Sequence, residues 1–469
     1  MARKKPLPML ENIQIEAVAA DGKCMARHEG MVIFVDAKTS APEDWVDIQL
    51  TKKKKNYAEG RIVRHRTYSP KRIAPTCEHF GICGGCKFQH LPYDLQLSFK
   101  QQEVEDNFKK IAKVPLPAPK NIIGSPKQYY YRNKLEFTFS SKRWLYQHEI
   151  SQSETLDQNA LGFHIPQRFD KILDVNQCHL QPEPSNQIRL AIKKWAIAEK
   201  IDFFNPTTQE GNLRNVIFKN NEKGEFMIFL ISKEDISQAL SRFVPTLMQE
   251  IPEVVSFYYA INPKRNDTYT DLTIQHIAGK SIIYTHMEEL AFQMTPLSFF
   301  QTNAQQAQKL YEIAREMANL TGNEVVYDLY TGTGTIALFV AKKAKHVVGI
   351  EYVSAAIEDA KQNAQANAIQ NTTFLAGDMK ELLSNTLFDT YGKPDVIITD
   401  PPRAGMHPDV LQTIIASEVP RIVYVSCNPA TQARDVAALA SFYKLVAMQP
   451  VDMFPHTHHV ENVICLERI

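Results

Sequence analysis

Apolar and polar positions alternate with a period of two near the start of the chain. Ile13, Ile15 and Ala17 alternate with polar neighbours, Met31 to Val35 is an apolar run, and Val46, Ile48 and Leu50 alternate again. Gly, Asp and Pro separate these segments, which therefore read as short strands. Several short strands between residues 1 and 76 predict a small β-barrel, for which oligonucleotide-binding barrels are a common solution. A cysteine-rich loop follows at 77–90, and then a polar helical stretch from Tyr93 to Lys113, ending near Pro115, Pro117 and Pro119. Residues 120–290 mix strand-like runs (Lys134 to Phe139, Val216 to Phe218, Met227 to Ile231) with helical ones (Ser185 to Ala198, Ile236 to Gln249). This stretch predicts an α/β region.

From about 296 the texture becomes regular. Val325 to Leu329 is an apolar strand running into Tyr330-Thr331-Gly332-Thr333-Gly334-Thr335 and then a helix. His346 to Ile350 is a second strand ending at Glu351, and Phe374 to Ala376 a third, with Asp378 just beyond. Asp395 to Thr399 and Arg421 to Val425 are two more. Strands and helices alternating at this spacing predict a doubly wound, Rossmann-like parallel sheet. The expected organisation is three domains, at 1–76, 77–290 and 291–469, consistent with a length of 469 residues at roughly 150 per domain.

Charge changes the picture by its distribution. The formal net charge is +1, yet Thr51 to Thr76 holds nine Lys or Arg against one Glu, including Lys52-Lys53-Lys54-Lys55. Such a run is commonly a solvated face. Here the excess continues through Arg61, Arg64, Arg66, Lys71 and Arg72, with Tyr57 and His65 among the cations, as on a surface that tracks phosphates and stacks bases. No run approaches the roughly 20 apolar residues of a membrane-spanning helix. No apolar signal core follows the basic Met1-Ala2-Arg3-Lys4-Lys5, so a cytoplasmic location is expected. Seven cysteines without a secretion signal point to metal binding or catalysis, not disulfides.

The glycine turn at Gly332-x-Gly334 lets a ligand approach the backbone closely. Glu351 at the end of the next strand is placed for ribose hydroxyls, and Asp378 for the adenine end. Position 337 is Ala where a dinucleotide fingerprint has its third glycine, which favours S-adenosylmethionine over a nicotinamide. Asp400-Pro401-Pro402-Arg403 and Ser426-Cys427-Asn428-Pro429 follow the next two strands, and ligands of open α/β sheets sit outside such carboxyl ends. Carbon 5 of a pyrimidine has no lone pair and must be activated by a thiolate adding at carbon 6, a role open to Cys427. Glu461 is the candidate base for the carbon-5 proton, with His456, His458 and His459 as further bases nearby.

Taken together, these residues resemble the uracil-C5 RNA methyltransferase family. Phe299-Phe300-Gln301-Thr302-Asn303, Asp328-Leu329-Tyr330-x-Gly332-x-Gly334, Asp400-Pro401-Pro402-Arg403, Ser426-Cys427-Asn428-Pro429 and Glu461 carry the resemblance in the C-terminal domain. The resemblance implies cofactor contacts from Gln301, Tyr330, Thr335, Glu351, Asp378 and Asp400. It also implies Cys427 as nucleophile and Glu461 as base. Val46 to Ala58 resembles a TRAM domain, a small RNA-binding β-barrel.

Cys77-x5-Cys83-x2-Cys86 supplies three potential ligands, with Gly84 and Gly85 allowing a tight turn, and Cys178 can be the fourth. Four thiolates suit zinc or an iron–sulfur cluster, and spacing does not separate them. The ribosomal-RNA branch of the family carries a 4Fe-4S cluster on this pattern, so the resemblance implies that cluster in a structural role. Cys24 and Cys465 lie in strand-like contexts and are expected in the core.

The resemblance implies 23S ribosomal RNA as partner, because bacterial transfer-RNA relatives typically lack barrel and cluster. Some archaeal relatives combine those parts with a transfer-RNA target, which keeps transfer RNA open. A radical methylthiotransferase would need Cys-x3-Cys-x2-Cys, a spacing absent here. A non-catalytic RNA-binding or assembly factor need not keep both Cys427 and Glu461.

Overall fold

The computed structural model describes residues 7–118, 120–150 and 156–469. The basic Met1 to Lys5 and Pro119 of the sequence reading lie outside them.

Five strands, β1 (Met9–Ala19), β2 (Lys23–His28), β3 (Met31–Asp36), β4 (Trp45–Lys53) and β5 (Tyr57–Thr67), close into a barrel in the order β1-β2-β3-β5-β4. The alternation found in the sequence is what fills it. Ile13, Ile15, Ile33, Val35, Val46, Ile48 and Leu50 all point inward and are buried, with Cys24 among them. The basic run is partly neutralised. Lys52 pairs with Glu59, Arg66 with Asp47 and Glu11, Lys71 with Glu43, and Arg72 with Asp44. Lys53, Lys54, Lys55, Arg61 and Arg64 have no ion-pair partner among the described residues. His65 already stacks on Tyr68, ring centroids 4.6 Å apart.

The central region contributes β6 (Lys134–Ser140), β7 (Ala160–Ile165), β8 (Arg168–Asp174), β9 (Leu213–Asn220), β10 (Phe226–Ser232), β11 (Val254–Ile261) and β12 (Ile274–Gly279). They form one mixed sheet, β12-β11-β10-β9-β6-β7-β8. Helices Ser185–Ala198 and Ser237–Glu250 cover one face through Ile188, Ile192, Leu240, Val244 and Leu247. A hairpin, β13 (Ile283–Met287) with β14 (Leu290–Met294), straddles position 290 and leads into the C-terminal sheet.

That sheet comprises β15 (Val325–Leu329), β16 (His346–Glu351), β17 (Thr372–Ala376), β18 (Val396–Thr399), β19 (Arg421–Ser426), β20 (Tyr443–Val451) and β21 (Glu461–Arg468). Their order is β17-β16-β15-β18-β19-β21-β20, parallel except for β21, which runs antiparallel between β19 and β20. Strands buried on both faces read as unbroken apolar runs, and this is why Val325–Leu329 and Arg421–Ser426 were legible. Cys465 packs in this core.

Helix Tyr93–Asn107 joins barrel to C-terminal domain with an unusual face. Gln96, Lys100 and Val104, four residues apart, are its buried positions. Lys100 Nζ reaches Asp452 Oδ1 at 2.6 Å and the Phe454 carbonyl at 3.1 Å, and Gln96 bonds both the amide and Nδ1 of His456. A helix polar on its buried side is one that bridges domains.

Candidate active site

The methyl-donor side of the site is built by the turn after β15. Tyr330, Gly332 and Gly334 all have left-handed backbone, at φ 63°, 55° and 78°. A Cβ on Gly334 would stand 2.9 Å from Ala360 Cβ and 3.0 Å from Phe374 Cζ, so this glycine is demanded by packing. A Cβ on Gly332 would meet nothing within 4 Å. The second glycine therefore tightens the turn while the first leaves open space above it.

Carboxylates surround this turn. Asp328 accepts the Thr331 hydroxyl at 2.5 Å and the Ala337 amide at 3.0 Å through one oxygen, while its buried Oδ1 has no partner. Burial, with Asp400 and Glu351 nearby, raises its pKa to about 7 despite the Thr331 bond. Glu351 closes β16 and accepts from the Gly332 amide at 3.2 Å and the Val353 amide at 3.0 Å. Asp400, one residue beyond β18, is raised to about 7 by burial; its amide donates to the Leu329 carbonyl, but its carboxylate has no hydrogen-bond or ion-pair partner among the described residues.

The structure divides the sequence-derived residues into neighbourhoods. Tyr330 and Asp378 share a pocket of about 110 Å³ with Tyr352, Met379, Lys380, His407 and Val410. Asp378 also caps the short helix Met379–Leu382 by accepting from the Lys380 amide at 3.0 Å. Thr335 is buried at the start of helix Thr335–Ala341, its hydroxyl 3.3 Å from that of Thr333. Gln301 lies beside Tyr311, a fully buried tyrosine whose hydroxyl it meets. Burial and the charge of Asp400 push the Tyr311 phenol up, and Asp328 and Glu461 add to this. Tyr311 thus sits at the junction of Gln301, Asp400 and Glu461. In the sequence it is one apolar-face position of an amphipathic helix, a signal that reads as core.

Cys427 and Glu461 meet through the register of β19 and β21. The last cross-strand pair is Ser426 opposite Asn462, so Cys427, the residue after β19, and Glu461, the first of β21, flank that pair and feel each other's charge. Burial raises the Cys427 thiol to about 11, helped by the charges of Glu461 and Asp400 and opposed by Arg403. Glu461 is raised to about 8 by burial and by Asp400, again opposed by Arg403. Arg403 is the cation common to both.

Arg403 is also held. Its guanidinium lies 2.9 Å from His459 Nδ1, and its carbonyl accepts from Asn428 Nδ2 at 3.0 Å and Thr431 Oγ1 at 3.1 Å. The Asp-Pro-Pro-Arg loop is thereby stitched to the cysteine loop. Asn428 caps helix Pro429–Leu439 through the Ala430 and Thr431 amides, and Gln432 ties Tyr424 to Asn462 beneath it. The barrel reaches this point too. Asp21 and Glu103 line the same cleft of about 60 Å³ as Cys427, Arg403, His458 and His459. Burial lowers His456 to about 4 and His459 to about 3, so both are neutral imidazoles.

The four cysteines are far from this cleft in the chain but share one cavity. Cys77, Cys83, Cys86 and Cys178 line a space of about 150 Å³ with His79, Gln89 and Arg132. Burial raises all four thiols, Cys86 and Cys178 to about 12. No three or more His, Cys, Asp or Glu side chains among the described residues converge to hold a metal ion.

Comparison with known proteins agrees with the fold. Residues 11–63 match the TRAM domain, and residues 265–469 match the tRNA (Uracil-5-)-methyltransferase family. An uncharacterized RNA methyltransferase of Bacteroides thetaiotaomicron is 52% identical over 96% of this chain and 100% of its own length. One from Porphyromonas gingivalis is 47% identical over 97% and 99%. Among solved structures, the Pyrococcus abyssi tRNA (uracil-54, C5)-methyltransferase in complex with S-adenosyl-L-homocysteine superposes with a TM-score of 0.74 at 27% identity, covering 97% of this chain and 99% of that one. The chain belongs to the S-adenosylmethionine-dependent RNA (uracil-5-)-methyltransferase family, with an N-terminal TRAM barrel.

Proposed function

We propose that the protein methylates carbon 5 of a uridine in 23S ribosomal RNA through a covalent bond between Cys427 and carbon 6, with Glu461 removing the carbon-5 proton. The observation that supports this reading is that Cys427 and Glu461 flank the last β19–β21 pair, Ser426 with Asn462, and that both feel the charges of Asp400 and Arg403. S-adenosylmethionine, when bound, supplies an electrophilic methyl group. The residues fit it: open space above Gly332, the unpartnered Asp328 Oδ1 and the partnerless Asp400 carboxylate offer a cradle and acceptors. In this reading Gln301, Tyr330, Thr335, Glu351, Asp378 and Asp400 hold it.

The thiol of Cys427 first gives its proton to solvent water. Its sulfur then bonds to carbon 6, and the ring electrons move onto carbon 5 and the carbon-4 oxygen, making carbon 5 a nucleophile. After methylation carbon 5 carries both the new methyl and its original proton. Glu461 takes that proton, the electron pair re-forms the ring double bond, and the sulfur leaves as thiolate. Arg403 lowers the cost of negative charge on both residues.

We further infer that Cys77, Cys83, Cys86 and Cys178 bind a 4Fe-4S cluster. Support comes from four thiols around one cavity, soft donors arranged about a volume larger than a single ion. Thiols this buried gain from a metal centre because coordination removes their protons. In the same reading the chain divides at 76/77 and 290/291, and the β13–β14 hairpin is the joint between the second and third parts.

The archaeal relative favours a second reading, in which the same chemistry acts on transfer RNA. It shares this architecture over 99% of its length, and it is a tRNA (uracil-54, C5)-methyltransferase. Tritium at uracil carbon 5 distinguishes them. Release from a 23S transcript alone, lost in Cys427→Ala, supports the first reading, and release from transfer RNA alone supports the second. Release retained by Cys427→Ala rejects the covalent mechanism. Iron and acid-labile sulfide absent from anaerobically purified protein reject the cluster.

A further inference from the structure

A second cavity, of about 290 Å³ and sharing Arg132 with the four-cysteine cavity, opens where the central sheet meets the start of helix Ala304–Ala318. Its size is close to the roughly 300 Å³ lower bound of small-ligand sites. Lys127, Tyr130, Arg132 and Gln305 stand on its wall. None of them belongs to the catalytic cleft.

Tyr130 is in the left-handed region at φ 55° and is 38% exposed. That backbone is disfavoured for an aromatic residue, and it persists where the surroundings impose it. His179 does so here, accepting the Tyr130 amide at 2.8 Å and meeting its hydroxyl at 2.9 Å. The ring is thus fixed and still accessible.

The wall is also cationic. Neither Lys127 nor Arg132 has an ion pair among the described residues, and the buried Arg132 Nε has no hydrogen-bond partner. The only carboxylate on the wall, Glu222, is engaged by His286 at 2.6 Å and Thr285 at 3.1 Å. Asn303 Oδ1 caps helix Ala304–Ala318 through the Gln306 amide alone, which leaves the Ala304 and Gln305 amides unbonded among the described residues. Free amides at the start of a long helix favour an anion. The exposed Gln305 side-chain amide has no partner either.

An aromatic ring, a free amide, two cations and a helix start are the parts that recognise one unstacked nucleotide. Place fixes which one. Gln301 is three residues from Ala304, so the cavity begins within about 11 Å of chain from the cofactor side of the site. We propose that this cavity binds a second, unstacked nucleotide of the RNA substrate, near the target uridine. Its base lies against Tyr130 and Gln305, and its phosphate at Lys127, Arg132 and the helix start. The inference rests on the RNA methyltransferase reading and adds a recognition subsite to it.

The test uses full-length Tyr130→Asn, chosen because Asn tolerates left-handed backbone, and Lys127→Ala, an exposed position. Affinity for 23S and transfer-RNA transcripts is measured over a salt series, beside S-adenosylhomocysteine affinity and melting temperature. Tyr130→Asn should weaken binding of the recognised RNA about tenfold, as loss of one base stack does. Lys127→Ala should flatten the logarithmic salt slope by about 0.7, one phosphate contact to single strand. Cofactor affinity and melting temperature should stay at wild-type values. Wild-type RNA affinity and salt slope in both variants would overturn the proposal, and with normal tritium release would leave the catalytic reading intact. Weakened RNA binding with no tritium release from wild-type protein would keep the cavity's role and reject the catalytic reading.

Discussion

Lys100 and Asp452 form a buried ion pair, 2.6 Å long, between residues 352 positions apart in the chain. It locks helix Tyr93–Asn107 onto the loop that runs from β20 to β21, the loop carrying His456, His459 and the approach to Glu461. Asp452 also takes the Tyr93 hydroxyl at 2.8 Å and the Phe454 amide at 3.0 Å, so its carboxylate is fully engaged. Removing one partner of such a pair strands the other charge in the interior. Lys100→Met should therefore destabilise by about 3–5 kcal/mol, measured by denaturant unfolding. Lys100→Met combined with Asp452→Leu should recover part of that loss, whereas additive losses would show that the pair contributes nothing specific.

The two turn glycines should respond differently to the same methyl group. Gly334→Ala sets a Cβ into Ala360 and Phe374 on left-handed backbone, and both terms oppose it. A loss of about 2–4 kcal/mol is expected, from overpacking together with the left-handed penalty. Gly332→Ala bears only the backbone penalty, about 1–2 kcal/mol. Its methyl, however, enters the open space assigned to the methyl donor. Calorimetry should find S-adenosylhomocysteine binding weakened at least about tenfold in Gly332→Ala, a change of about 1.4 kcal/mol. Wild-type affinity there would remove the donor from this turn.

Asp400 links stability to function with opposite signs. Burial raises its pKa to about 7, above the unfolded range, so the folded protein holds the proton more tightly. The stabilisation is fully present below the unfolded pKa near 4 and is lost as pH rises through about 7. Asp400→Asn keeps the shape and removes the charge. At pH 8 it should stabilise the ligand-free protein, by on the order of 4 kcal/mol, and should abolish cofactor binding. At pH 4.5 the stability difference should nearly vanish. A variant less stable than wild type at pH 8 would mean the carboxylate has a partner that burial conceals.

Much of this fold could be read from the chain because its strands carry their own signal. Parallel strands buried on both faces are unbroken apolar runs, and the barrel strands alternate, so Val325–Leu329 and Ile13, Ile15 stand out in either style. The loops after those strands stand out because Gly332, Gly334, Pro401, Pro402 and Cys427 break the apolar runs. What stayed hidden is what depends on distant partners. Helix Tyr93–Asn107 is polar in sequence, and nothing in the sequence tells that Gln96 and Lys100 are its buried face. Tyr311 carried the periodicity of a core residue and turned out to adjoin Gln301 and Asp400. The partners of the basic run are also distant in sequence: Asp44 and Asp47, which engage Arg72 and Arg66, lie before Thr51.

The charge of Arg403 should govern the pH dependence of methyl transfer. Cys427 at about 11 and Glu461 at about 8 are both held above their ordinary values, and both must be deprotonated to act. Single-turnover rates should therefore rise with pH through about 8 and continue to climb more weakly above it. Arg403 is the cation that opposes both shifts, and its carbonyl bonds to Asn428 and Thr431 survive a side-chain change. Arg403→Met should push both groups further up, moving the rising limb to higher pH and lowering the rate at pH 7.5 by about tenfold, one pKa unit's worth. Arg403→Lys keeps a positive charge but not the planar contact with His459, so it should restore the pH profile more fully than the rate. A profile that does not move in Arg403→Met, with the rate reduced equally at every pH, would assign Arg403 to RNA binding instead of to the ionisation of Cys427 and Glu461.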